Sequence, residues 1–331
     1  MRVLLAVPRY DYGKPELGDS FEYTSWFGPL IGLGHDVELF DTFGPGWKGD
    51  PVATGRALLE TASAWKPDLV LTLLLEDEIP MATVDELRGT CPVVNWFADD
   101  TWRFWAFSRH IAHHFSWVVT TSRKAKEAYD RMPGVRAHLS PWGYDPATYH
   151  PVDAEPVYDI GFVGQRYGRR GRVVDALRAE GFSVTARGSG WPDGRIESSG
   201  LAAQFASARI NLSFLESSAG PFKRLGVGHI RGTFRADRLI SKVLTPPLQL
   251  KARPFEITAS GAFLLTNVVP ELLEFFHPGK EIGTFDSERT LRRAVTYYLE
   301  HDDERRAIAR AGLERSGAYS WPRVLTNVLE Q

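Results

Sequence analysis

The residues best suited to chemistry in this chain of 331 residues fall in four short stretches. The first is Gly164-Gln-Arg-Tyr-Gly-Arg-Arg-Gly171. Its glycines let backbone N–H groups approach an anion, and a following helix N-terminus adds a favourable dipole. Arg166, Arg169 and Arg170 carry forked guanidinium groups that suit a diphosphate. It contains neither Gly-Lys-Ser/Thr nor Gly-x-Gly-x-x-Gly, so it is neither a Walker loop nor a dinucleotide fingerprint. A weaker glycine turn, Arg187-Gly188-Ser-Gly190, follows the next strand.

The second stretch is Lys251-Ala-Arg-Pro-Phe-Glu256. Pro254 suits the first turn of a helix, which sets Arg253 beside unsatisfied N–H groups and Glu256 within that turn. A first-turn glutamate either complements the helix dipole or accepts two hydrogen bonds from a ribose diol. The third stretch, Ala98-Asp-Asp-Thr-Trp-Arg103, places Asp99 and Asp100 at the end of a strand. Adjacent side chains on extended backbone point apart, so they form no shared-proton pair. One of them serves as general base toward an acceptor hydroxyl, or caps the next helix. The fourth is the loop Pro8–Glu22 with Asp11, Asp19 and Glu22, which touches an acceptor or is simply solvated.

These stretches need elements to hold them, and the chain supplies two successive βα series. Arg2–Val7, residues 37–40, 67–75, 92–97 and 117–121 read as strands, with helices predicted over 21–33, 55–65, 84–88 and 122–132. Residues 140–156 carry Pro141, Pro146, Pro151 and Pro156 without periodicity and read as a linker. Strands are then expected at 158–163, 182–186, 210–214, 262–266 and 282–285. The matching helices fall at 172–180, 201–208, 254–260, 288–299, 303–316 and 322–330. Two such series predict an α/β protein of two doubly wound, Rossmann-like domains. We place the boundary near 150, giving domains 1–150 and 151–331, with the last helix a candidate to cross back.

Composition narrows the class. Hydrophobic residues make up 43% and charged residues 24%, as in a globular chain, and the net charge of −2 gives no global pull toward nucleic acid or membrane. The single cysteine, Cys91, permits no internal disulfide, and no apolar run reaches the roughly 20 residues of a membrane span. A cytoplasmic protein is expected. His110, His113 and His114 lack a complementary ligand set, so no metal is expected. A local basic excess runs through residues 217–253, with Lys223, Arg224, Arg231, Arg235, Arg238, Lys242, Lys251 and Arg253 against Asp237.

Several of these residues also carry a resemblance. Arg253 through Thr266, then Pro270-Glu-Leu-Leu-Glu-Phe-Phe-His-Pro-Gly-Lys-Glu-Ile282, is similar to the C-terminal domain of CgeB-like glycosyltransferases. So are the helix pair 291–316 and Tyr319-Ser-Trp-Pro-Arg323, and more loosely Asp159–Gly164, Gly34–Asp41 and Trp96–Asp100. The resemblance implies a GT-B fold with its two domains facing a cleft, the donor nucleotide sugar on the C-terminal domain and the acceptor on the N-terminal one. It implies a metal-independent hexosyl- or pentosyltransferase of bacterial type that needs no cofactor beyond its sugar nucleotide. Glu256 matches the second glutamate of the related families' Glu-x7-Glu motif, which contacts ribose, and Leu248 stands where the first would be. On this reading Gly164, Arg166, Arg169, Gly188, Lys251, Arg253 and Glu256 hold the donor. Asp100, Asp99 or Asp19 serves the acceptor. The stereochemical expectation leans to retention. Two rivals stand beside it: a transferase acting on nucleic-acid bases through residues 217–253, and a non-catalytic protein that binds a nucleotide sugar. The missing dinucleotide pattern argues against a nicotinamide enzyme.

Overall fold

The computed structural model describes residues 1–216 and 248–331. The chain divides into two units; among the described residues the first comprises 1–140 and 321–331, the second 141–216 and 248–320. Residues 217–247, which hold most of the basic excess noted above, lie outside the described residues.

The first unit is built on a six-stranded parallel sheet in the order β2-β1-β3-β4-β5-β6. Its strands are β1 (Arg2–Val7), β2 (Asp36–Asp41), β3 (Leu69–Thr72), β4 (Val93–Phe97), β5 (Trp117–Thr120) and β6 (Ala137–Leu139). Apolar runs such as Val3–Val7, wholly buried, are what a sheet covered on both faces requires. Helices α1 (Phe21–Gly32), α2 (Pro51–Trp65), α3 (Met81–Arg88), α4 (Asp100–Arg103) and α5 (Arg123–Tyr129) connect these strands. Ser20 caps α1 by accepting from the Tyr23 N–H, and Asp50 caps α2 through the N–H groups of Val52 and Ala53.

The second unit has a five-stranded parallel sheet, β11-β10-β9-β7-β8. These are β7 (Tyr158–Val163), β8 (Val184–Arg187), β9 (Ala208–Ser213), β10 (Leu264–Asn267) and β11 (Gly283–Phe285). Its helices are α6 (Arg169–Ala179), α7 (Leu201–Ala206), α8 (Arg253–Ala259), α9 (Leu272–Phe275), α10 (Glu288–Glu300) and α11 (Asp302–Ser316). The stretch after Ser140 belongs here: Trp142 Nε1 donates to Leu250 O at 3.0 Å and Tyr144 N to Tyr319 O at 3.2 Å.

The final helix, α12 (Trp321–Leu329), joins the first unit. Trp321 is 1% exposed and its ring lies 6.2 Å from Trp26, 5.8 Å from Trp96 and 6.0 Å from Phe21. Trp117 Nε1 donates to Val328 O at 3.1 Å. Trp96 is therefore core, and is not available to stack on a ligand. Among the described residues no helix is long and apolar enough to cross a membrane.

Some elements depart from sequence expectation. α2 begins at Pro51 because Asp50 supplies its cap, and β6 is present where no strand was expected. α6 begins at Arg169, just after Gly168 with φ +57°, so Arg169 and Arg170 sit in a helix's first turn and not in the glycine loop.

Candidate functional site

In open parallel sheets ligands settle at the carboxyl edge, where the strand order reverses. The reversal falls between β1 and β3 in the first unit and between β7 and β9 in the second. The loops that leave these strands therefore define one candidate site in each unit.

In the second unit the turns after β7 and β8 are clasped together. Gly164 N donates to Arg187 O at 2.8 Å, Arg166 N to Ser189 O at 2.9 Å, and Trp191 Nε1 to Gly164 O at 2.8 Å. A Cβ on Gly188, whose φ is +131°, would fall 2.4 Å from Gly164 O, so glycine is required for this approach. Arg166 is turned to Asp175 at 2.6 Å and lies over the Trp191 ring. Arg169 and Arg170 reach across the reversal point to the loop after β9. Arg169 Nε donates to Glu216 Oε1 at 2.7 Å. Arg170, 7% exposed, donates from Nη2 to Phe214 O at 2.9 Å, and its Nε finds no partner among the described residues. The sequence singles out Arg169 and Arg170 alike as suited to a diphosphate, and the burial of Arg170 is what the packing adds.

α8 brings Arg253 and Glu256 together. Arg253 Nη1 meets Glu256 Oε2 at 2.6 Å, and the glutamate side chain is 7% exposed. The Tyr149 hydroxyl hydrogen-bonds to both, and burial followed by the Glu256 charge pushes its pKa well above the usual phenol range. Tyr149 stacks on Phe205 at 6.4 Å, while Arg253 lies 5.6 Å from the same ring. A charged fork is thus held in one orientation by a carboxylate and a phenol. Lys251 lies two residues before it, partly buried. Leu248 pairs with Glu216 across an isolated antiparallel bridge.

In the first unit the carboxyl edge is acidic. Glu22, in the first turn of α1, is partly buried; burial, helped by Asp11 and Asp99, pushes its carboxyl up to about 7. The same acids, behind burial, raise the Tyr12 phenol. Asp99 lines a small recess with Leu73, Leu75, Phe97, Arg103 and Phe107. On the β3 side Glu78 accepts from the N–H groups of Leu75 at 3.1 Å and Glu76 at 2.8 Å, and Arg103 donates to Leu75 O.

Two acceptor-side expectations change. Asp100 is 2% exposed and takes the Tyr129 hydroxyl at 3.1 and 3.3 Å, with Ser108 and Thr120 also bonding it. Burial pushes it up to about 7, and an enclosed acid of this kind has no path to an acceptor hydroxyl. Asp19 is paired with Arg9 at 2.5 Å, and that guanidinium lies 3.8 Å from the Tyr23 ring centre, so Asp19 closes the loop on itself. Asp99 stays at the edge, where Glu22 joins it. Glu22 was visible only as one of several loop acids, because its neighbours come from separate stretches of chain. His114 Nδ1 meets Asp85 at 2.8 Å, and no group of three His, Cys, Asp or Glu among the described residues is arranged to hold a metal.

With this geometry in place, known proteins can be compared. A family model described as glycosyl transferase-like matches residues 169–330. That span holds Arg169, Arg170, Arg253 and Glu256. No curated protein matches by sequence. Solved structures match over nearly the whole chain. Sucrose-phosphate synthase from Thermosynechococcus elongatus is 14% identical with a TM-score of 0.69, covering 99% of this chain and 97% of its own. Anabaena HepE in complex with UDP-glucose is 14% identical with a TM-score of 0.62, covering 100% and 98%. The spinosyn rhamnosyltransferase SpnG complexed with thymidine diphosphate is 14% identical with a TM-score of 0.51, covering 100% of both chains. The fold is GT-B.

Proposed function

We propose that this chain transfers a sugar from a nucleoside diphosphate sugar to an acceptor hydroxyl. The observation that carries the reading is the pair Arg169 and Arg170 spanning the reversal point of the second sheet, on a fold shared with proteins that hold UDP-glucose or thymidine diphosphate. The donor's diphosphate lies against the clasped glycine turns at Gly164 and Gly188, with Arg253, Arg170 and Lys251 supplying charge. Arg166 and Arg169, tied to Asp175 and Glu216, fix the walls of this site. Glu256 orients Arg253 and offers its remaining oxygen to the ribose. In the first unit Glu22, next to Asp99, takes the proton of the acceptor hydroxyl; a carboxyl near 7 is well matched to that task at neutral pH.

Most of the rate then comes from positioning and from stabilising the departing diphosphate. The reaction runs without a metal or other cofactor, in the cytoplasm. CgeB-like enzymes are the subgroup that the C-terminal residues resemble.

Thermal denaturation with UDP, GDP, dTDP and CDP, each beside its monophosphate and nucleoside, tests the donor site. A ligand at 100 times its dissociation constant adds about 2.7 kcal/mol of stability. One preferred diphosphate is the expected outcome, and no shift with any of them refutes the reading. Slow hydrolysis of the preferred sugar nucleotide separates an enzyme from a non-catalytic binder.

A further inference from the structure

The last residue of β10, Asn267, is 4% exposed at the carboxyl edge of the second sheet. Its Oδ1 accepts the N–H of Leu215 at 2.8 Å. That bond fixes the amide orientation, because only the oxygen can face an N–H donor. Nδ2 then points away with two N–H groups, and it finds no partner among the described residues. A buried donor left unsatisfied is costly, so such an atom calls for an acceptor.

The surroundings say which acceptor. Asn267 and Arg170 grip the same short loop after β9 from opposite sides, since the carbonyl of Phe214 and the N–H of Leu215 belong to one trans peptide and point oppositely. Arg170 Nε is the other buried donor at this loop without a partner. Two unpaired donors thus flank the loop that leaves β9, Arg170 on the β7 side and Asn267 on the β10 side. Both ask for oxygen acceptors, and one is cationic. A phosphate group satisfies both requirements.

Asn95 in the first unit makes a useful contrast. Its Oδ1 takes the N–H of Leu74 at 3.0 Å and the Thr72 hydroxyl at 2.7 Å, and its Nδ2 is also unpaired among the described residues. Asn95 sits inside β4, two residues from its end and 0% exposed, so it serves as a control buried within a strand.

We propose that the side-chain amide of Asn267 donates a hydrogen bond to a phosphate oxygen of the nucleoside diphosphate donor. This rests on the donor site assigned above. Asn267→Asp tests it selectively, because the carboxylate keeps an oxygen for Leu215 N–H and replaces only the donor end. UDP and dTDP, with uridine and thymidine as their phosphate-free partners, are titrated calorimetrically into wild type, Asn267→Asp, Asn267→Ala and Asn95→Asp.

The expected result is a tenfold or greater loss of diphosphate affinity in Asn267→Asp, a smaller loss in Asn267→Ala, unchanged nucleoside affinity, and no loss in Asn95→Asp. Equal diphosphate affinity in wild type and both Asn267 variants overturns the proposal. So does a parallel loss of nucleoside and diphosphate, which marks a general disturbance of the pocket. Wild type that binds neither diphosphate refutes the donor site itself, a result distinct from either of these.

Discussion

The two sheets present opposite chemistry at equivalent places. At the reversal point of the first, carboxylates crowd together and are pushed toward their protonated forms, as at Glu22. At the reversal point of the second, guanidinium groups are held by carboxylates and carbonyls, as with Arg169 on Glu216 and Arg170 on Phe214. One fold repeated twice carries an acidic edge in one unit and a basic edge in the other. The difference teaches that the topology fixes where a ligand meets each unit, while the first few side chains past each strand decide what that ligand is.

Glu22→Gln strikes this contrast hardest. Losing a general base lowers turnover by roughly 10²–10⁴-fold. In the wild type the rate rises with pH through about 7 as Glu22 ionises, and that limb should vanish in the variant. Steady-state rates with the donor found by the nucleotide panel check both points, and an unchanged profile breaks the acidic half of the comparison.

The basic half is tested by Arg253→Ala. It removes the charge proposed to meet the donor and strands Glu256, whose side chain is 7% exposed, without its partner. Breaking a buried pair costs on the order of 3 kcal/mol. Turnover and melting temperature should therefore fall together in the single variant. Adding Glu256→Gln should restore the melting temperature and leave turnover low. Restored turnover would mean that Arg253 matters only as a partner for Glu256.

Asp100→Asn sharpens the comparison by separating buried acids from working ones. Because the folded carboxyl is raised to about 7, Asp100 contributes stability that is complete below its ordinary range and lost as pH climbs toward 7. Denaturant unfolding of the wild type should weaken between roughly pH 4 and pH 7, and the variant should show a flatter dependence. An identical slope in both would mean that Asp100 is not the group responsible. The smallest effect belongs to Arg166→Ala. This exposed pair with Asp175 contributes only about 0–1 kcal/mol, so stability should barely move in the same experiment.

Much of the fold was legible because its cues are local. Apolar runs such as Val3–Val7 announce strands, and a serine or aspartate ahead of an apolar period announces a helix. Ser20 and Asp50 do so here, although the Asp50 cap was not used to start α2 at Pro51. β6 escaped because three residues carry too short a pattern. The site was legible in kind and less so in detail. Arg253 and Glu256 stand one helical turn apart and could be paired from spacing. Tyr149, which binds both, lies in a proline-rich stretch over a hundred residues earlier. Asp99 and Asp100 are neighbours in sequence, yet one stays at the edge and the other is sealed under Tyr129 from α5. No local pattern distinguishes them, since the decision belongs to a contact across 29 positions.

The return of α12 to the first unit has a consequence for synthesis. Trp321 fills the space among Phe21, Trp26 and Trp96, so a nascent chain that stops short of residue 321 has an unfilled gap in its first core. The second unit, enclosed in sequence between the two parts of the first, holds all its described strands before that tryptophan is made. Domains usually mature from the N-terminus as translation proceeds. Here the unit begun first takes its last helix from residues made after every described strand of the second.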